Sequence, residues 1–133
     1  MKVILAIFLV IITSIVIYFG KTKDEYSMNS INPSEREAAA LNAIKDSYGS
    51  ENSEYNTNLF VTHHIDELES SYWEKLLGTK KPSPQQVLEI LTLQGSSDDN
   101  QVFDFTLPDD VTNYIISVRF NDAGEIDDIS MES

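Results

Sequence analysis

Residues 113–120 alternate strictly. Tyr114, Ile116, Val118 and Phe120 fall on one face, and Asn113, Ile115, Ser117 and Arg119 on the other. This period, in residue types that suit a packed pleated surface, predicts a half-buried strand. The turn-forming set Asn121, Asp122, Ala123, Gly124 and Glu125 follows, then a second run over 126–131, so the two runs read as a hairpin. Upstream, 91–94 and 102–107 flank a loop at 95–100, with Phe103, Phe105 and Leu107 alternating against Val102, Asp104 and Thr106. Pro108, Asp109 and Asp110 make the turn into the last hairpin.

Before residue 91 the apolar period is helical. Pro33-Ser34 opens a helix with Ser34 as its cap and Glu37 completing a capping box, an apolar stripe of Ala38, Leu41, Ala43, Ile44 and Tyr48, and Gly49 to end it. Residues 51–57 form a polar loop. From residue 58, Leu59, Phe60, Ile65, Leu68, Tyr72, Trp73, Leu76 and Leu77 fit one helix, or two broken near Ser70-Ser71, although Phe60-Val61-Thr62 also fits the start of a strand. Gly78 ends this stretch, with Lys75, Lys80 and Lys81 favourably near its carboxyl end. Ser83, Pro84 and Gln86 give a second capping box, and the short helix behind it turns Val87, Leu88 and Leu91 inward. Helices first and strands last predict an α+β domain, about three helices packed on a roughly four-stranded antiparallel meander.

The front of the chain follows a different pattern. Residues 3–19 carry no charge, and as a helix they would span about 26 Å, near the lower limit for a bilayer core of about 30 Å. Lys2 and Lys21 can snorkel to make up the difference. A cleaved secretory signal is the competing reading. The run exceeds the usual apolar region of such signals, and Tyr18-Phe19-Gly20 lacks the small-residue cleavage pattern. The expected organisation is therefore a membrane anchor or uncleaved signal at 1–20, a polar linker at 21–33, and a small acidic α+β domain at 34–133. The arrangement common for short amino-terminal anchors leaves the domain on the outer side, periplasmic or extracellular. Lys21 and Lys23 against Lys2 do not reinforce it.

Charge narrows the partners. From residue 21 onward there are 8 Lys and Arg against all 22 Asp and Glu, a formal −14. Such a surface repels nucleic acid and anionic lipid headgroups, and it speeds encounter with a basic protein. It also keeps a small domain soluble with no partner at all. The chain has no cysteine, which excludes disulfides, thiolate metal sites and cysteine nucleophiles.

Candidate chemistry is sparse. His63-His64 with Asp66, Glu67 and Glu69 is the densest cluster, and on a helix His63 and Glu67 lie one turn apart, where they can share a divalent metal. The zinc-protease spacing is absent and there is no third histidine, so a solvated helical face explains the cluster better. Asp98, Asp99 and Asn100, like the acids between Asp122 and Asp128, miss the EF-hand order and suit turns between strands. Tyr72-Trp73 beside Glu74 and Lys75 reads as core, or as an aromatic contact on a partner. No nucleophile elbow or phosphate loop is present, so no catalytic, cofactor or metal residues are assigned.

The stretches SPQQVLEIL, VFDFTLPDDVTNYIISVRF and NDAGEIDDISMES make residues 84–133 resemble a family of small bacterial domains of unknown function found among immunity-like proteins, those that neutralise a toxin. The resemblance covers under half of the chain. It implies binding and supplies no catalytic residues, and the anchor departs from a family in which many members are soluble. The function expected first is a membrane-tethered acidic domain that binds a basic protein, an immunity protein neutralising a toxin by occlusion. The alternative is an envelope protein with a structural or accessory role and no catalytic activity. A metal-dependent hydrolase using His63, His64 and Glu67 ranks third.

Overall fold

The computed structural model describes residues 32–133. The anchor expected over 1–20, and nearly all of the linker expected over 21–33, lie outside the described residues. No helix among the described residues is long and apolar enough to cross a membrane.

The strands form as the alternation requires. β1 (Thr92–Ser96), β2 (Val102–Thr106), β3 (Ile115–Phe120) and β4 (Ile126–Glu132) make one sheet in the order β1-β2-β3-β4, every pair antiparallel. Register sets Phe103 opposite Val118 and Phe105 opposite Ile116, so the large apolar side chains stack on a single face. Phe103, Phe105, Ile116, Val118 and Phe120 are all buried there, and Phe103 meets Phe120 edge to face with ring centroids 5.8 Å apart. Tyr114, expected in the same wall, precedes β3 and is half-buried at its rim.

Four α-helices cover that face: α1 (Pro33–Ser47), α2 (Thr57–Glu67), α3 (Ser70–Leu77) and α4 (Pro84–Glu89), with a 3₁₀ turn at Glu51–Ser53. They contribute Ala40, Ile44, Phe60, Val61, Trp73, Val87 and Leu88 to one core with the sheet. The fold is thus α+β with a four-stranded antiparallel meander, as the order of periodicities predicts. The second capping box forms as read: Ser83 Oγ accepts from the Gln86 amide at 3.3 Å, and Gln86 Oε1 accepts from the Ser83 amide at 2.9 Å.

Two local expectations are corrected, and one open alternative is decided. The cap of α1 is Asn32, whose Oδ1 accepts from the Ser34 amide at 3.0 Å, so Pro33 takes the first helical position and Ser34 lies inside the helix. Shifting the start by two residues leaves Glu37 without a capping role. The core position of α1 is Ala40, whereas Ala38 is exposed, because Ala40 and Ile44 lie one turn apart on the face that meets the sheet. The stretch after residue 57 is two helices, separated by extended backbone at Leu68 and Glu69 just ahead of the Ser70-Ser71 pair, and Phe60-Val61-Thr62 is helical. Phe60 and Val61 are both buried, so that apolar pair mimics a strand only in isolation.

The cap assignment is directly testable. Asn32→Ala is expected to lower unfolding stability by about 1 kcal/mol, and Ser34→Ala by less than about 0.5 kcal/mol. Denaturant unfolding of the two variants checks it; the reverse ranking would return the cap to Ser34.

Candidate functional interface

The densest cluster in the sequence sits on α2, and burial divides it. His64 is 1% exposed, while Asp66 and Glu67 on α2 and Glu69 just beyond it are exposed to solvent. Both ring nitrogens of His64 are engaged. Nδ1–H donates to the Phe60 carbonyl at 2.7 Å, and Nε2 accepts from the Thr112 hydroxyl at 2.9 Å. Thr112 Oγ1 in turn accepts from the Tyr114 amide at 3.2 Å, so His64 ties α2 to the connection that leads into β3. The solvated pair of histidines expected from sequence is therefore half right: His64 is a structural core residue, and only His63 reaches the surface. Among the described residues no three His, Asp or Glu side chains are arranged to hold a metal ion.

Burial pushes the His64 pKa below the ordinary histidine value. The hydrogen bond to the Phe60 carbonyl opposes this shift, and the neighbouring His63 adds to it. The ring stacks within an aromatic set: Phe60 at 4.2 Å, His63 edge-on at 5.1 Å, and Tyr114 at 5.9 Å between centroids. His63 also meets Tyr114 edge-on at 5.1 Å. His63 and Tyr114 thus form a wall at the surface, held from behind by His64.

That wall belongs to a groove of about 280 Å³ between α2 and the end of β4, lined by Tyr55, Leu59, His63, Tyr114, Met131 and Glu132. Tyr55 is 79% exposed and Leu59 44%, the two largest exposures of big apolar side chains among the described residues. A second groove, of about 260 Å³, lies further along the same strand and is mixed, with Ser50, Asn52, Asn56, Asp127 and Asp128 in its lining beside Ile126 and Ile129. Within this second groove, Asn56 Nδ2 donates to the Ile129 carbonyl at 3.1 Å. Neither groove contains a Lys or Arg.

The segment that carries Tyr55 is knit by short polar side chains. Ser53 Oγ reaches the Ser47 carbonyl at 2.6 Å, Asn58 Oδ1 accepts from the Gly49 amide at 2.8 Å, and the Ser47 and Thr57 hydroxyls lie 2.7 Å apart. Gly49 takes φ +86°, a left-handed conformation that favours glycine. The polar loop predicted at 51–57 is therefore a fixed platform. The composition signals a loop there, but the long-range contact of Asn56 with β4 gives no local signature.

The acidic turns are explained by their own hydrogen bonds. Asn121 Oδ1 accepts from the amides of Ala123 at 3.0 Å and Glu125 at 2.9 Å, with Gly124 at φ +80°. Asp99 accepts from the Ser97 hydroxyl and the Gln101 amide, which holds its carboxyl below the usual carboxylate range. Trp73 is 1% exposed, so of the two readings of Tyr72-Trp73 the structure supports core. Tyr72 donates to the Pro108 carbonyl at 2.9 Å, and burial together with the nearby Asp109 carboxylate pushes its phenol up to about 12. Comparison with protein-family models, curated proteins and solved structures finds no match.

The His64 environment sets a pH dependence. The unfolded histidine titrates near 6.5 and the folded one below that, so the unfolded state takes up its proton first as pH falls. Stability from this residue is full above about pH 6.5 and declines below it. Unfolding midpoints at stepped pH, paired with an NMR titration of the ring, are expected to show His64 titrating below 6.5; a value at or above 6.5 would contradict the assigned bonds.

Proposed function

We propose that this chain is a membrane-tethered acidic domain that binds a basic protein and neutralises it by occlusion, an immunity function exercised on the outer side of the membrane. The observation that carries the reading is the uncompensated charge. From residue 21 the chain carries a formal −14, and among the described residues ion pairs form only between Lys45 and Glu89 at 3.3 Å and between Lys75 and Asp109 at 3.7 Å. The remaining carboxylates are left to act together on an approaching charge. A field of one sign raises the rate of encounter with a cationic partner and suppresses wrong ones.

The resemblance of residues 84–133 to immunity-like domains supports the same direction, and the apolar run at 3–19 supports the tether. His64 lends the hydrolase reading no support, since both of its ring nitrogens are bonded within the fold.

Capture with the full chain from its own cells tests the proposal. One strongly basic protein should be retained at about 0.15 M salt and released near about 1 M, where screening is within about 3 Å. Expressed alone, that protein should arrest growth, and co-expression of this chain should restore it. A retained protein that does no harm would move the reading to the accessory envelope role. Since the chain has no cysteine, Ser71→Cys, exposed on α3 and outside both groove linings, reports the side of the membrane. Labelling by an impermeant maleimide in intact cells is expected; protection would place the domain inside.

A further inference from the structure

The two grooves share strand β4, and each mixes polar and apolar lining. Asp127 and Asp128 line one, together with Asn56 and Ile129, whose hydrogen bond closes that groove; Met131 and Glu132 line the other, beside the exposed Tyr55 and Leu59. Three residues of extended chain separate Asp128 from Met131, about 10 Å at about 3.3 Å per residue. An extended segment laid beside β4 would therefore meet Asp127 and Asp128 first and the exposed side chains of Tyr55 and Leu59 about three residues later.

We propose that the basic partner docks here through an extended cationic segment, seating a Lys or Arg against Asp127 and Asp128 and an aromatic or branched apolar side chain between Tyr55, Leu59, His63 and Tyr114. This inference rests on the protein-binding reading above and deepens it by naming the face and the chemistry of the ligand. Charge decides the occupant. Both grooves carry carboxylates and no cation, so a second copy of this chain would bring like charges together, whereas a cationic segment is attracted at each end.

Structure decides the face. Tyr55 and Leu59 expose large apolar area on backbone already fixed by the Ser47, Ser53, Thr57 and Asn58 hydrogen bonds, so little ordering remains to be done on binding. Tyrosine in such a position is typical of residues that dominate interfaces. On the other face of the sheet Thr106 and Ser117 are buried among their neighbours and Val102 and Ile115 are only half-exposed, so that face offers no comparable anchor.

The test uses the full chain in nanodiscs of neutral lipid and a labelled, end-capped hexapeptide of order Lys-Arg-Ser-Gly-Phe-Lys, read by fluorescence anisotropy against empty discs. The parent peptide is expected to bind at least about tenfold more tightly than a version with Ser for Phe, and than a version with Glu for every Lys and Arg. Tyr55→Ser and Leu59→Ser should each weaken it by about fivefold or more. The pair Asp127→Asn and Asp128→Asn should weaken it and flatten its salt dependence. Equal binding of the Ser version, or unchanged affinity in Tyr55→Ser and Leu59→Ser, would overturn the groove while leaving the electrostatic reading of the domain standing. Equal binding of the Glu version would sink both. A parent peptide that binds no better than to empty discs also overturns the proposal, since the segment is claimed to suffice.

Discussion

Phe103, Phe105, Ile116, Val118 and Phe120 must all leave water on the same face of the sheet, and this requirement fixes most of what surrounds them. Slipping β2 against β3 by one residue would turn Phe103 and Phe105 outward and bring Asp104 into the core. Each buried side chain of this size is worth about 1.5–3 kcal/mol, so the correct register is favoured over the slipped one by more than any local propensity supplies. The helices then have one surface to cover. Ala40 allows α1 to approach closely, and Phe60 and Val61 anchor α2 beside it.

From that arrangement the candidate interface follows. β4 lies at one end of the sheet order, with β3 on one side, so its other side meets α2 and the turn that precedes it. His64 makes the junction definite. A buried neutral imidazole with a carbonyl on one nitrogen and a threonine hydroxyl on the other fixes both the helix and the backbone entering β3, and thereby the positions of His63 and Tyr114. The residue that looked most like chemistry in the sequence holds the candidate interface in shape.

Legibility followed the range of the interaction. The meander, the Ser83–Gln86 capping box and the inward face of β3 rest on periods of two residues or on contacts three residues apart, and the sequence displays them. The cap at Asn32 was displaced because Asn32, Pro33 and Ser34 supply two acceptable starts, and only backbone geometry separates them. The division between His63 and His64 was hidden because adjacent helical residues point about 100° apart, so one enters the core while the other does not. The grooves were least legible, since they join residue 55 to residues 114 and 131, and no local pattern links them.

On the reading proposed above, the acidity of the domain would draw a basic partner in, and the groove that holds Tyr55 and Leu59 beside β4 would give it a place to stop. Hydrogen exchange on the full chain with and without its salt-released partner tests this most directly. Slowed exchange is expected at residues 55–63 and 126–132 and nowhere else among residues 32–133. Protection that falls on β1 and the uncovered face of the sheet, with residues 55–63 unchanged, would contradict it.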